Sequence, residues 1–238
     1  MQGRFSGAIG EEYELFKLAC PHFDELEGGI GDLIKEHYQS SSKETISALE
    51  IGCGPGYTTD IILSGDKRIK VTAVDNEPVM IKQAGECLDD YINDGRVELF
   101  LEDGLEHLRK ITSNSYDFFA SAFTLHNFKQ EYRQEVLQEI FKILKPEGLF
   151  LNADKYAIAD TVEHQKHVDW QVEQFKEKYE SIGRPDLRDE WITHFLADDK
   201  PEFIMKEQES IDAMQKIGFR NVYISYRMQG EALMVAFK

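Results

Sequence analysis

Ala48-Leu49-Glu50-Ile51-Gly52-Cys53-Gly54-Pro55-Gly56-Tyr57-Thr58-Thr59 is the stretch on which the fold turns. An apolar run that begins at Ile46 enters three glycines at alternate positions, and a segment with helical spacing follows. Glycine lets a chain turn sharply from strand to helix and lets a ligand approach where a Cβ atom would block it. Gly-x-Gly alone describes a tight turn equally well. Two details narrow the reading. Glu50 ends the strand just before the loop, and a carboxylate there repels a pyrophosphate but accepts hydrogen bonds. The dinucleotide pattern GxGxxG needs its third glycine at position 57, which is Tyr57. The spacing found, GxGxG, suits a small cofactor without phosphate better than NAD.

The neighbouring sequence extends the pattern. Val71-Thr72-Ala73-Val74-Asp75 reads as a second strand ending in a carboxylate. In a βαβ unit that places Asp75 beside the glycine loop, able to chelate two ribose hydroxyls. The same aspartate could simply cap the next helix. Apolar runs recur at Val97 to Leu101, Tyr116 to Ala122 and Leu149 to Ala153, separated by helical stretches Tyr57–Leu63, Pro78–Asn93 and Lys129–Leu144. Strands alternating with helices imply a parallel sheet covered on both faces.

After Tyr156 the pattern becomes helical. Asp160-x-x-Glu163 suits a capping box, with a helix to about Glu180. Pro185 suits the start of a second helix, and Ile204 to Ile217 forms a third that ends at Gly218. Runs at Val222–Tyr226 and Ala232–Phe237 flank the turn Met228-Gln229-Gly230-Glu231 and read as a hairpin. The expected fold is α/β: a doubly wound, Rossmann-like, mostly parallel seven-stranded sheet with a C-terminal antiparallel hairpin and a helical insertion after strand 5. One domain is expected over 1–238. It divides into an N-terminal helical arm (1–45), a cofactor-binding core (46–156), a helical lid (157–218) and the closing hairpin (219–238).

Composition bounds the partners. The chain has 238 residues and a net charge of −17, from 27 Lys+Arg against 44 Asp+Glu. A phosphate backbone is bound by neutralising it with Lys and Arg, so nucleic acid is not an expected partner. Nor is a membrane, since no apolar run nears the roughly 18 residues a span requires. Cys20, Cys53 and Cys87 are few, odd in number and far apart, which argues against a disulfide framework or structural zinc. With no leader pattern at the N-terminus, the expected location is the cytoplasm.

Taken in order, ALEIGCGPGYTT, VTAVDNEPVMI, LEDGLEHL, YDFFASAFTLHNF and LKPEGLFLNADKY resemble the successive motifs of the class I S-adenosylmethionine-dependent methyltransferases. The resemblance covers roughly Ile46 to Tyr156. It implies that the cofactor is S-adenosyl-L-methionine and that the chain is a methyltransferase, and it leaves the acceptor open; with the acidic charge balance a small-molecule acceptor is expected. It also implies site residues. Gly52, Gly54 and Gly56 would wrap the methionine part, with Glu50 beneath the loop. Asp75 would hold the ribose and Asn76 the adenine. Asp103 would accept from the adenine amino group, Gly104 and Leu105 would line the ring, and Phe123 would lie near the transferred methyl. The layout after Ala153 is similar to the tRNA wobble-uridine carboxymethyltransferase branch, so a tRNA-modifying (carboxy)methyltransferase is one alternative. A non-catalytic cofactor-binding protein is another.

Methyl transfer from a sulfonium needs alignment and exclusion of water, and a general base only when the acceptor must lose a proton. The base candidates are His126, Asp154, Tyr156 and the pair His164/His167, with His126 the catalytic choice. His164, His167 and Trp170 have the spacing of one helical face. His-x-x-His could also hold zinc, but no third ligand accompanies it, and no metal is expected. The insertion's Trp170, Phe175, Tyr179, Trp191 and Phe195 and the arm's Tyr13, Phe16, His22 and Phe23 are expected to enclose the acceptor. The charge balance sets one test. Duplex DNA and bulk tRNA should show no salt-sensitive gel shift at submicromolar protein, and such a shift would revive the tRNA alternative.

Overall fold

Strand β1 (Ile46–Ile51) is buried along nearly its whole length, so it needs a hydrogen-bonded neighbour on each side and a helix layer on each face. The computed structural model, which describes residues 4, 5 and 7–238, supplies both. β1 pairs in parallel with β2 (Ile69–Asp75) on one side and β4 (Tyr116–Ala122) on the other. β3 (Val97–Leu101) extends the sheet beyond β2, and β5 (Leu144–Lys155) lies beyond β4. The antiparallel pair β6 (Arg220–Met228) and β7 (Glu231–Phe237) closes it. Among the described residues the order is β3-β2-β1-β4-β5-β7-β6, a doubly wound sheet whose strand order reverses between β1 and β4. Ligands in such sheets bind outside the carboxyl ends of the strands at that reversal.

Helices α2 (Phe23–Tyr38), α3 (Tyr57–Gly65) and α4 (Pro78–Cys87) pack on one face, and α6 (Gly104–Lys110), α7 (Gln130–Ile143) and α10 (Glu207–Ile217) on the other. A third apolar cluster lies above the strand ends. There α1 (Ala8–Glu11), the 3-10 segment Tyr13–Leu18, α8 (Thr161–Ser181) and α9 (Pro185–Ala197) pack on one another. Tyr179 Oη donates to Leu15 O (3.0 Å) and Gln171 Nε2 to Ala19 O (2.6 Å), stitching insertion to arm. No described helix is long and apolar enough to cross a membrane.

Three elements differ from expectation. The single helix Pro78–Asn93 is broken at Leu88 into α4 and α5 (Asp89–Asn93), because Leu88 turns fully inward to pack against Gly56. β5 starts five residues earlier than its apolar run, since Leu144 pairs with Tyr116 before a register shift at Lys145-Pro146-Glu147. α10 starts at Glu207, not Ile204, because Met205 O accepts from Ala157 N (2.7 Å) and ties that segment to an extended bridge. Asp160 caps α8 by accepting from Val162 N and Glu163 N, Pro185 opens α9, and Gly218 closes α10 at φ 125°.

Asp117 interrupts the apolar run of β4, and its position explains why. Its carboxylate is 2% exposed and accepts from Ser47 N (2.8 Å), Ser47 Oγ (2.7 Å) and Lys145 Nζ (2.9 Å), with Lys43 as a fourth partner. It therefore pins the start of β1 to β4 and β5. Burial pushes this carboxyl up, but the four donors together hold it down to about 2. A depressed carboxyl contributes stability above its unfolded value of about 3.9 and loses it as pH falls toward the folded value. D117A should therefore lower stability by about 2 kcal/mol at neutral pH. The deficit should vanish as urea melts are moved to about pH 2.

Candidate active site

A cavity of about 370 Å³ opens at the carboxyl ends of β1 to β4. Seven of the expected residues line it: Gly52, Gly54, Asp75, Asn76, Asp103, Gly104 and Phe123. The loop geometry explains its glycines. Gly52 has φ +72°, and a Cβ there would meet Thr124 Oγ1 at 2.2 Å, so the β1 and β4 exits cross with no room for a side chain. Gly54 has φ +53°, and its missing Cβ would meet nothing within 4 Å. It faces the cavity, a bare stretch of backbone that only a ligand could cover. Gly56 (φ +94°) is set back from the cavity wall and packs on Leu88.

Asp75 ties down the entrance of the next helix and also borders the cavity. Its Oδ1 accepts from Glu77 N (2.9 Å) at the entrance of α4, and its Oδ2 accepts from Gly54 N (2.9 Å), while the side chain also faces the cavity. Each carboxylate oxygen keeps capacity for a second donor, which suits two ribose hydroxyls. Asp103 Oδ1 accepts from Leu105 N and Glu106 N (3.0 Å each) and from Tyr132 Oη (2.7 Å), capping α6. That cap turns Leu105 into the core behind Phe119, so its side chain does not line the cavity as expected; only its backbone N–H faces Asp103. Tyr132 takes a place on the wall instead. Its helix carries ordinary surface spacing, and nothing in the sequence ties it to Asp103.

Two carboxyls lie buried near the glycine loop. Glu50 is 1% exposed; its Oε2 accepts from Thr59 Oγ1 (2.6 Å), and its Oε1 has no partner among the described residues. Burial raises it to about 7, with Thr59 opposing. Glu27 of α2 is raised to about 8, again chiefly by burial, with Thr58 and Lys17 opposing. Buried acids with spare acceptor capacity favour a cationic group nearby, and an α-amino group meets that need. This cradle of Gly54, Asp75, Asp103 and Glu50 fits an amino-acid nucleoside.

A narrower aromatic chamber of about 40 Å³ adjoins the cavity and shares Phe5, Tyr13 and Phe123 with it. Phe123 leaves β4 at φ +48°, its N–H bonded to Ala153 O (2.8 Å) and its ring stacked on Phe23 at 5.3 Å. Phe16, Phe175, Trp191 and Phe195 form the remaining walls. At the polar end stand His126, Lys155, His194 and Asp198. His126 Nδ1 meets Asp154 Oδ1 at 2.5 Å, and Asp154 is fully buried. Burial holds the His194 imidazole down at about 3 against the pull of Asp198. Burial pushes Asp198 up, but His126, Lys155, His194 and Arg4 together hold it below the usual carboxylate range.

The structure thus brings His126 and Asp154 together and separates the other base candidates from them. Tyr156 Oη accepts from Asn152 Nδ2 (2.8 Å) inside the core. His164 Nδ1 accepts from Ile158 N (3.3 Å), and His167 packs on Gly230 and Trp170 and meets Gln229 Oε1 at 3.2 Å. His167 thus meets the β6–β7 turn, with Trp170 stacked on it, while His164 Nε2 lies 3.4 Å from Asp199, and none of the three lines the chamber. His22 precedes α2 away from both cavities, Phe23 lies in the core, and Tyr179 in the third cluster. Lys155, His194 and Asp198 carry no sequence signal, because their meeting depends on how α9 lies over β5.

The buried acids give a pH signature. A carboxyl raised in the folded state stabilises below its unfolded value and ceases to do so as pH rises through its folded value. Tm should fall from about pH 5 to about pH 8. E27Q should flatten that slope, and an unchanged slope would show that Glu27 stays ionised.

Residues 48–148 match the model of a methyltransferase domain family. Carboxy-S-adenosyl-L-methionine synthase of Shewanella piezotolerans is 27% identical over 60% of this chain, and the match spans only 56% of that relative's length. The protein of that name from Shewanella loihica is 25% identical over 94% of this chain and 88% of its own. Among solved structures, the CurJ carbon methyltransferase superposes with TM-score 0.64 at 17% identity, covering 89% of this chain and 53% of that one. A SAM-dependent methyltransferase from Aquifex aeolicus gives 0.57 at 19% identity, covering 94% and 96%. The methyltransferase-domain match over residues 48–148 and the mostly parallel sheet with its reversed final strand support the reading of this chain as a class I S-adenosylmethionine-dependent methyltransferase, an enzyme whose cofactor is S-adenosylmethionine.

Proposed function

We propose that this protein transfers the methyl group of S-adenosylmethionine to a small acceptor seated in the aromatic chamber. The observation that carries the reading is Phe123, a wall common to the cofactor-sized cavity and the chamber. When bound, the sulfonium supplies an already activated methyl group. Gly52, Gly54 and Gly56 shape the methionine end, and Glu50 attracts its amino group. Asp75 takes the ribose hydroxyls and Asn76 the adenine edge. Asp103, steadied by Tyr132, takes the adenine amino group beside Gly104 and the backbone of Leu105. Phe123 orients the face across which the methyl passes. The arm and α8–α9 exclude water, and His126, locked by Asp154, acts on an acceptor hydroxyl or amine at the chamber's polar end. A chamber this narrow, in a chain of net charge −17, suits a small molecule better than a nucleic acid.

The names of the relatives favour a second reading, in which the product is carboxy-S-adenosyl-L-methionine itself. Mass spectrometry of the nucleoside products distinguishes the two, since only this one yields a carboxylated sulfonium. Under either reading calorimetry should show micromolar S-adenosylhomocysteine binding, and no saturation at millimolar ligand would overturn both. D75A removes hydrogen bonds worth roughly 1.5–3 kcal/mol each, so it should weaken binding at least about tenfold. G54V should do comparable harm by filling the cradle. H126A should leave that affinity unchanged while slowing turnover by about 10²- to 10⁴-fold, read as S-adenosylhomocysteine release across a panel of small phenols, acids and amines.

A further inference from the structure

We propose that His126, His194 and Asp198 form a site for a divalent transition-metal ion, zinc or a first-row neighbour, at the polar end of the aromatic chamber. One ligand atom from each lies within 4.8 Å of the others. His126 Nε2 and Asp198 Oδ2 are 3.6 Å apart. That is too long for a hydrogen bond, yet close to the roughly 3.4 Å edge of a tetrahedron with metal–ligand bonds of about 2.1 Å. Two imidazoles and a carboxylate are donors that zinc, iron, cobalt and nickel accept.

The surroundings match a ligand set. Asp154 takes the Nδ1 side of His126 at 2.5 Å, so the Nε2 lone pair points at Asp198 and the chamber. A carboxylate behind the far nitrogen is the usual support of a metal-bound histidine. His194 and Asp198 stand four residues apart at the end of α9, on one helical face. All three line the chamber, so a further coordination position would face it, the arrangement of catalytic rather than structural sites.

The cations nearby can yield. Asp198 Oδ1 accepts from Arg4 (2.5 Å), but Oδ2 has Lys155 and His126 both at 3.6 Å and neither at bonding distance. Lys155 keeps Phe195 O at 3.1 Å, the Phe195 ring and Asp199 when it gives way, and Arg4 keeps Asn127 O at 3.2 Å. An ion there would take the Nε2 lone pair of His126 and bind an oxygen-bearing acceptor itself, replacing the role given above to the free imidazole. That use rests on the methyl-transfer reading above, whereas the binding itself does not.

The test uses the whole chain, stripped with chelator. Zn²⁺ is titrated by calorimetry and Co²⁺ by visible absorption, each with and without S-adenosylhomocysteine. The expected result is saturation at one ion per chain, with cobalt bands typical of mixed nitrogen and oxygen ligands. H194A and D198N should abolish it, D154N should weaken it about 10- to 100-fold, and H37A, at an exposed histidine, should leave it unchanged. If either ligand variant fails to melt cooperatively, D154N and a metal-dependent rise in wild-type Tm decide the matter. No saturable binding of either ion, or binding that survives D154N and the folded ligand variants, overturns the site. Intact S-adenosylhomocysteine binding in the same samples then leaves the methyltransferase reading standing.

Discussion

The crossing of Gly52 under Thr124 is the constraint on which the rest depends. β1 and β4 are neighbours in the sheet but lead to helices on opposite faces, so their exits must diverge at once. The divergence is tightest where the Gly52 backbone runs against the Thr124 side chain, whose Oγ1 donates to Gly52 O (3.1 Å) and Ala122 O (2.9 Å). A side chain at position 52 would collide with the Thr124 side chain and force the two exits out of place. Gly54 and Asp75 then follow, joined by one backbone hydrogen bond across the opening. The same local geometry makes the turn foldable and leaves the ligand a surface of bare backbone.

The chamber is built on a different principle. No backbone turn defines it. The arm and the insertion each carry aromatic side chains that neither could bury alone, and they bury them on one another. Phe16 stacks on Trp191 at 4.6 Å, and Trp191 faces Phe175 at 6.3 Å. The polar end of this apolar space holds charges that would be costly singly: Asp154 and Asp198 against Lys155 and Arg4, with His126 bonded to Asp154. Their mutual neutralisation makes the burial tolerable and fixes His126 in one orientation.

Phe123 joins the two spaces. A non-glycine residue at φ +48° costs on the order of 1–3 kcal/mol, and its surroundings hold it there. The bond from its N–H to Ala153 O and the stack on Phe23 hold the ring between the cavity and the chamber. The strain is placed where one side chain must serve two pockets at once.

Much of this molecule was legible in its residues because periodicity and glycine act locally. Alternating apolar runs require strands, GxGxG requires the turn, and a carboxylate at the end of the next strand falls beside it by the geometry of one βαβ unit. The residues that line the cavity from Gly52 to Asp103 were therefore placed at one sheet edge by spacing, and their roles there by resemblance. Leu105 was misplaced because a helix cap, not its spacing, decides which way it faces. The acceptor side was not readable. His126, Lys155, His194 and Asp198 come from a 3-10 turn, a strand end and a helix of the insertion, and of the α8 histidines that share a face in sequence, His167 meets the β6–β7 turn while His164 turns toward Asp199. Local chain geometry determined the residues that line the larger cavity. Only the docking of the arm and α9 over the strand ends decided which side chains line the chamber, because that docking is set by long-range apolar contacts that leave no regular spacing in the chain.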